Sequence, residues 1–211
     1  MRPSQRTRAN TKDGPPKQES MIAYQKEKID NAICFFASEH KRKTRRAVTQ
    51  TQLYKYLAFL DFESFEKRGR PVLGLEYEAK KRGPVPPLLY KNRSNLRTKC
   101  YVFHNVGKTD AGQDRYDVIA HGAPNLDYFS HREIKEMERL IEIYADIFVT
   151  AGDMSDASHE RIQAWKKTWE SNPNGIIDYA LMFKEDPRKK PEADLTFAEE
   201  CYLIATALDR H

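Results

Sequence analysis

Four side chains between Asp153 and Glu160 carry groups that could bind a metal ion. Asp153, Asp156, His159 and Glu160 combine three carboxylates with one imidazole near the start of an apparent helix. Such groups ligate divalent metals, so a metal-dependent enzyme is one interpretation. Acidic and hydroxyl residues at a helix start also suit N-terminal capping, and a single histidine gives a metal site little support. Capping is the preferred interpretation.

The rest of the sequence offers no enzymatic motif. It lacks a P-loop, a dinucleotide fingerprint, a G-x-S-x-G elbow and an HExxH helix. We therefore predict that the protein is not an enzyme and needs neither a metal nor another cofactor.

Charge is distributed unevenly along the 211 residues. Residues 1–108 contain 24 Lys and Arg against 10 Asp and Glu, a net charge of +14, whereas residues 109–211 carry a net −9. The basic half could attract a polyanion and the acidic half a basic protein surface. The two halves could equally neutralise each other within one domain.

The densest basic run is KRKTRR. Its five cations are Lys41, Arg42, Lys43, Arg45 and Arg46. The run suits a solvated connection or a helix C-terminus, where cations are favoured. It could also bind DNA phosphates together with residues 1–20, which are predicted to form a disordered basic arm.

Two helices flank this basic run. The first is predicted over residues 21–40, and the second begins after Thr49 or Thr51 and continues through Leu53 and Leu57. Lys55 lies within the apolar stretch of the second helix, where an unpaired charge would be costly. We predict that it reaches the surface or pairs with Glu78.

The segment LEYEAKKRGPVPPLLY, residues 75–90, must change direction sharply. Pro84 disfavours helical backbone at Gly83, and a later proline suits the first turn of a helix. We predict an extended chain to Lys80, a turn at Gly83–Pro84 and then a short helix. Leu88, Leu89 and Tyr90 are expected to face the core.

The second half mixes a hairpin with helices. Residues 100–106 and 115–121 are predicted to form an antiparallel hairpin. Ser130 begins a capping box, and its helix is expected to extend through Phe148 and end at Gly152. Thr196 is expected to cap a last helix whose buried face is formed by Phe197, Leu203, Ile204, Ala207 and Leu208.

Three motif blocks, in this order and spacing, resemble the Panacea domain of SocA-like antitoxins and their phage-encoded relatives. The matching positions are Thr49, Leu53, Lys55, Leu57 and Phe59, then Glu78, Ala79, Gly83, Pro84, Val85 and Tyr90, then Ser158, His159 and Trp165. The resemblance covers roughly residues 21–170.

The resemblance implies an α+β, predominantly helical fold with a single Panacea-like domain over 21–183. The small antiparallel β-hairpin, near 99–122, is predicted from its own residues and is expected to be an elaboration of that domain. Residues 184–211 are expected to form a linker and a helix that packs on this domain. The implied structural residues are Thr49, Leu53, Gly83, Pro84, Val85, Ser158, His159 and Trp165.

The implied function is neutralisation of a cognate protein toxin by stoichiometric binding, with a protease as a further partner if the protein acts as an adaptor. Candidate partner-binding residues are Lys55, Tyr77, Glu78, Lys80 and Tyr90. The alternatives are a DNA-binding autorepressor and the metal-dependent enzyme considered above.

Three cysteines, Cys34, Cys100 and Cys201, show no paired spacing and are expected to stay reduced. No apolar run approaches the roughly 20 residues that span a bilayer, and the N-terminus does not resemble a secretory signal. We therefore predict a cytoplasmic protein with no membrane partner.

Overall fold

A computed structural model describes residues 22–109 and 112–208, which form seven α-helices and two small sheets. The predicted basic arm, residues 1–20, lies outside the described residues. The helices are α1 (Gln25–Thr44), α2 (Gln50–Arg68), α3 (Pro87–Asn92), α4 (His131–Tyr144), α5 (Ala151–Arg161), α6 (Gln163–Ser171) and α7 (Phe197–Leu208). The predominantly helical α+β class is confirmed.

The core is built around α2. Every residue from Gln52 to Phe65 is buried, so this helix has no solvent face along that length. Helices α1, α4, α5 and α7 pack around it. Thr49 caps α2 with a complete capping box, in which the Thr49 hydroxyl accepts from the amide of Gln52.

One sheet contains the predicted hairpin. Strands β4 (Tyr101–Lys108) and β5 (Asp114–Ala120) pair antiparallel, with Phe103 opposite Val118. A two-residue strand, β1 (Val48–Thr49), adds to β5 and gives the order β1-β5-β4. The hairpin is confirmed, whereas β1 was not predicted because two residues are too few to show alternation.

The second sheet is formed by residues 78–85, which contain the sequence Gly83-Pro84-Val85. We call this sheet and the short helix after it the GPV corner. Strands β2 (Glu78–Lys80) and β3 (Gly83–Val85) pair antiparallel, and α3 begins at Pro87. The predicted helix start is confirmed, but the turn lies at residues 81–82 because Gly83 and Pro84 belong to β3. Only Leu89 faces the core, since Leu88 and Tyr90 are 57% and 41% exposed.

Two predictions about the C-terminal helices are wrong. α4 ends at Tyr144 and a new capping box at Thr150 begins α5, so Gly152 lies inside α5 and does not end α4. Of the predicted buried face of α7, Phe197, Ile204, Ala207 and Leu208 are exposed and Leu203 is half-buried. That helix packs instead through Ala198 and Tyr202, and the Tyr202 ring contacts Phe65.

The expectation that all three cysteines are unpaired is also wrong. Cys34 of α1 and Cys100, just before β4, form a disulfide with their Cα atoms 5.8 Å apart. The bond connects α1 to the β4–β5 hairpin, a contact between segments 66 residues apart that spacing alone could not indicate. Cys201 is free.

Candidate partner-binding site

The three sequence blocks meet at one place, which we call the motif junction: Lys55 of α2, Gly83 of β3 and Ser158 of α5. A Cβ atom added to Gly83 would lie 2.5 Å from both Lys55 Nζ and Ser158 Oγ. Gly83 also has a φ of +94°, which side chains of L-residues rarely adopt. Only glycine therefore lets the β2–β3 hairpin approach α2 and α5 this closely.

Lys55 is buried in the junction, with 1% of its surface exposed. Its Nζ donates a hydrogen bond to the carbonyl oxygen of Pro84 at 3.2 Å. Burial lowers the pKa of Lys55 to about 7. The predicted pairing of Lys55 with Glu78 is wrong, because Glu78 forms an ion pair with Lys80 at 2.8 Å on the hairpin surface.

His159 and Trp165 extend the junction toward the surface. The Trp165 indole Nε1 donates to the carbonyl oxygen of Lys80 at 3.0 Å and so joins α6 to β2. The His159 ring stacks on Trp165 with centroids 3.9 Å apart. Burial, reinforced by the charge of Lys55, lowers the pKa of His159, so the imidazole is neutral at physiological pH.

A surface groove begins where this stack reaches solvent. Trp169 lies parallel to Trp165 with centroids 6.0 Å apart. The groove is lined by His159, Glu160, Gln163, Trp165, Lys166, Trp169 and Glu170. It presents aromatic surface, which is enriched where protein partners bind, together with charges of both signs.

Gly83→Ala is expected to lower the free energy of unfolding by about 3 kcal/mol, because strain at positive φ adds to overpacking against Lys55 and Ser158. Gly107→Ala is the matched control: its φ is +106°, but nothing lies within 4 Å of the added Cβ. Urea unfolding of both variants separates the two contributions. Equal losses would contradict the close approach at Gly83.

A buried carboxylate that the sequence analysis missed holds residues 73–77, which lead into the β2–β3 hairpin. Asp61 of α2 is 0% exposed and accepts from the backbone amides of Leu73 at 2.6 Å and of Gly74 and Leu75 at 3.3 Å. It also accepts from the Tyr77 hydroxyl at 3.1 Å. The available signal was an acidic residue at the end of the apolar run from Tyr56 to Leu60 in α2.

The predicted partner-binding residues separate into two groups. Lys55 and Tyr77 are buried, with 1% and 0% of their surfaces exposed, so a partner on this surface would not contact them. Tyr90 is exposed, whereas Glu78 and Lys80 are half-buried and reach solvent with part of their side chains. The junction therefore positions the half-buried residues of β2 and the exposed Tyr90 of α3 without itself being a contact surface.

Tyr90 is held outward by a cation. The guanidinium of Arg93 lies 4.0 Å from the centre of the Tyr90 ring and 5.2 Å from that of Tyr116 on β5. Exposed Leu88 lies on the same short helix, α3. The pair Leu88 and Tyr90 thus gives the GPV corner an apolar, aromatic outer surface.

The predicted structural residues occupy buried or capping positions. Leu53, Gly83, Pro84 and Ser158 are buried, and Val85 is half-buried. The Ser158 hydroxyl donates to the carbonyl oxygen of Ser155 at 2.7 Å within α5.

The basic run lies at the C-terminal end of α1. Lys41, Arg42, Lys43, Arg45 and Arg46 are all exposed. Lys43 pairs with Glu142 and Arg42 with Glu39, both at 2.7 Å. Three of these cations, Lys41, Arg42 and Arg45, line a shallow depression beside the end of β5.

Asp153, the first member of the candidate metal-binding group, caps the start of α5. The Asp153 carboxylate accepts from the amide and the hydroxyl of Thr150, both at 2.7 Å, in a capping box. Within residues 22–109 and 112–208, no group of three or more His, Cys, Asp or Glu is placed to hold a metal ion. This geometry supports capping as the role of Asp153.

Among the described residues, none of the helices combines the length and apolar character needed to span a bilayer. No curated protein and no solved structure matches the chain. A family model described as "Antitoxin SocA-like, Panacea domain" matches residues 53–166, more than half of the chain. That range contains Lys55, Gly83, Ser158 and Trp165, the residues that meet at or beside the motif junction. The chain therefore belongs to the SocA-like antitoxin family with a Panacea domain.

Proposed function

We propose that this protein is an antitoxin that neutralises a cognate protein toxin by direct, stoichiometric binding. The observation that carries the proposal is the match to the SocA-like antitoxin family over residues 53–166. A protein that acts by binding needs a rigid surface, and the motif junction supplies buried contacts that fix β2, β3 and α5 against α2. Rigid presentation reduces the entropy lost on association.

The chemistry of the junction also favours binding over catalysis. Lys55 and Ser158 are the groups whose types could act as base and nucleophile, but their exposed fractions are 1% and 0%. Their polar atoms are hydrogen-bonded to Pro84 and Ser155. A substrate in solvent cannot reach them in this conformation.

We further propose that Glu78, Lys80 and Tyr90 take part in partner contact at the GPV corner. The protein would act in the cytoplasm, where a toxin made by the same cell must be neutralised. Delivery of the bound toxin to a protease is compatible with the same surface, since an adaptor also acts by binding.

The proposal is tested by expressing each neighbouring gene alone and then together with this protein while following growth. We expect one neighbour to arrest growth, co-expression to restore it, and the two proteins to co-purify. A neighbour that stays toxic in the presence of this protein, or the absence of any toxic neighbour, would contradict the antitoxin function.

A second candidate function, DNA binding by an autorepressor, is favoured by the end of α1. Lys41, Arg45 and Arg46 are exposed, and within the described part of the chain no ion pair neutralises them. Exposed cations bind phosphates and release counterions, so affinity for duplex DNA would fall steeply as salt is raised.

The matching test measures binding to the promoter of the protein's own gene between about 50 and 200 mM salt. Lys41→Gln with Arg45→Gln should reduce the salt slope by about two, roughly one for each lost phosphate contact. Lys91→Gln on α3 is the control. An unchanged slope in the double variant would exclude this surface as the DNA contact.

A further inference from the structure

Three large apolar side chains within six residues of one another are exposed at and just after the end of α4. Ile143, Ile147 and Phe148 are 48%, 51% and 83% exposed. We call this set the Phe148 platform. Phe148 has the highest exposed fraction among the large apolar side chains of the described residues. An aromatic residue with so little covering it has no packing role in the isolated chain and suits the centre of a protein interface.

The loop that carries Phe148 is held in place by hydrogen bonds. The Asp146 carboxylate accepts from the Phe148 amide at 2.9 Å, and the Asp146 carbonyl accepts from the Val149 amide at 3.2 Å. The Val149 carbonyl accepts from Gln52 Nε2 at 3.4 Å, which attaches the loop to the first turn of α2. Phe148 is thus presented by a fixed backbone, and little loop entropy would be lost on binding.

Unpaired acidic residues follow on α5, which starts directly after this loop. Asp156 and Glu160 are exposed and four residues apart, so they share one helix face. Neither forms an ion pair with any residue in 22–109 or 112–208. Glu170 adds a third carboxylate where Glu160 reaches the groove, which Lys166 also lines. Asp146 and Asp153, which precede and follow Phe148 along the chain, are exposed as well, so a partner that covers Phe148 would meet an apolar centre beside carboxylates of the loop and of the first turn of α5.

We propose that the Phe148 platform is the anchor of the toxin interface and that it inserts into an apolar pocket rimmed by lysine and arginine residues of the toxin. The inference rests on the proposed antitoxin function and specifies its partner surface. The exposed carboxylates favour a basic toxin surface over a second copy of this chain as the partner. A two-fold dimer on this face would bring the acidic residues of both copies together.

The anchor is tested with the purified product of the neighbouring gene that arrests growth. Phe148→Ala is expected to weaken its binding at least 30-fold, the loss typical of a hot-spot aromatic residue. Phe197→Ala on α7 removes an equally large side chain that is 69% exposed, and it should leave binding unchanged. Both variants should unfold at the wild-type urea concentration, because neither side chain is buried.

The contribution of the acidic residues is tested separately by measuring association and dissociation rates with the toxin. Asp156→Asn with Glu160→Gln should slow association about tenfold at low salt and leave dissociation nearly unchanged, because rim charges mainly affect encounter. Glu192→Gln with Asp194→Asn, in the segment before α7, is the control pair.

The outcomes separate the two proposals. If wild-type protein binds and neutralises the toxin but Phe148→Ala does so equally well, the platform assignment is overturned and the antitoxin function stands. If wild-type protein does not bind the toxin, both fail. If Phe148→Ala instead converts a dimer of this protein into a monomer, the platform is a self-association surface and the proposal is wrong.

Discussion

Asp61→Asn is expected to lower the free energy of unfolding by about 4 kcal/mol at about pH 7.5. The Asp61 carboxylate is fully buried, and three backbone amides and the Tyr77 hydroxyl donate to it. An asparagine would replace one acceptor oxygen with an NH2 group that faces donors. Each donor left without an acceptor costs roughly 1–3 kcal/mol.

The protonation state of Asp61 supports the choice of pH. Burial raises the pKa of its carboxyl to about 6, against the opposing effect of the hydrogen bonds it accepts. The carboxylate is therefore ionised at about pH 7.5 and serves as acceptor only. The Tyr179 hydroxyl is not counted among the donors to Asp61. It has one proton, and its oxygen lies 2.6 Å from the carbonyl oxygen of Leu75 but 3.2 Å from Asp61 Oδ2.

Urea unfolding of the purified variant measures the loss. Asp178→Asn is the matched control: Asp178 is exposed and caps a short 3-10 turn by accepting from the Ala180 amide, a role that asparagine performs equally well. A loss at Asp61→Asn no larger than at Asp178→Asn would contradict the network that positions residues 73–77.

Lys55→Met is expected to raise the free energy of unfolding at pH 7 by about 3 kcal/mol. Burial lowers the pKa of Lys55 from 10.5 to about 7 in the folded protein. One pKa unit corresponds to about 1.4 kcal/mol, and the lost hydrogen bond to Pro84 offsets roughly 1 kcal/mol of the gain. Methionine fills similar space without a charge.

The sign of the pH dependence follows from linkage. Between about pH 7 and 10.5 the unfolded chain holds a proton on Lys55 that the folded chain has released, so wild-type stability rises with pH across this range. Above both pKa values the penalty disappears. The advantage of Lys55→Met should therefore shrink as pH rises from 7 toward 10.

Urea unfolding at several pH values tests this expectation. Lys81→Met, at an exposed lysine in the β2–β3 turn, is the control and should shift stability by less than about 0.5 kcal/mol at every pH. A Lys55→Met variant less stable than wild type at pH 7 would show that the ammonium is satisfied by its surroundings.

Local signals in the sequence predicted the regular elements well. Thr49 or Thr51 was predicted to cap the second helix and Ser130 to begin a capping box, and the structure has capping boxes at Thr49 and Ser130. The β4–β5 hairpin followed from β-branched and aromatic residues in short runs. Such features depend on neighbours along the chain, which the sequence displays directly.

Features that depend on distant contacts were predicted less well. Lys55 donates to the Pro84 carbonyl of the β2–β3 hairpin and does not pair with Glu78. The absence of a side chain at Gly83 lets this hairpin come close enough for Lys55 Nζ to reach Pro84. The exposed face of α7 was assigned to the core because apolar spacing does not show which side of a helix meets Phe65. The Cys34–Cys100 bond depends on tertiary placement in the same way.

The candidate site was predicted in part. The three motif blocks were expected to matter together, and the structure brings Lys55, Gly83 and Ser158 into contact. Exposure could not be deduced from the motif, so buried Tyr77 was placed among the contact residues and exposed Phe148 was assigned to a helix. Motif residues indicate which segments meet, whereas contact surfaces depend on what the fold leaves uncovered.

The most direct test of neutralisation by binding is a titration of the toxin's activity with this protein, both purified and at concentrations well above their Kd. Stoichiometric binding gives a linear fall in activity that ends at a fixed molar ratio, with the same endpoint after a longer incubation. Complete loss of toxin activity at a small fraction of that ratio, or an endpoint that keeps falling with time, would contradict it.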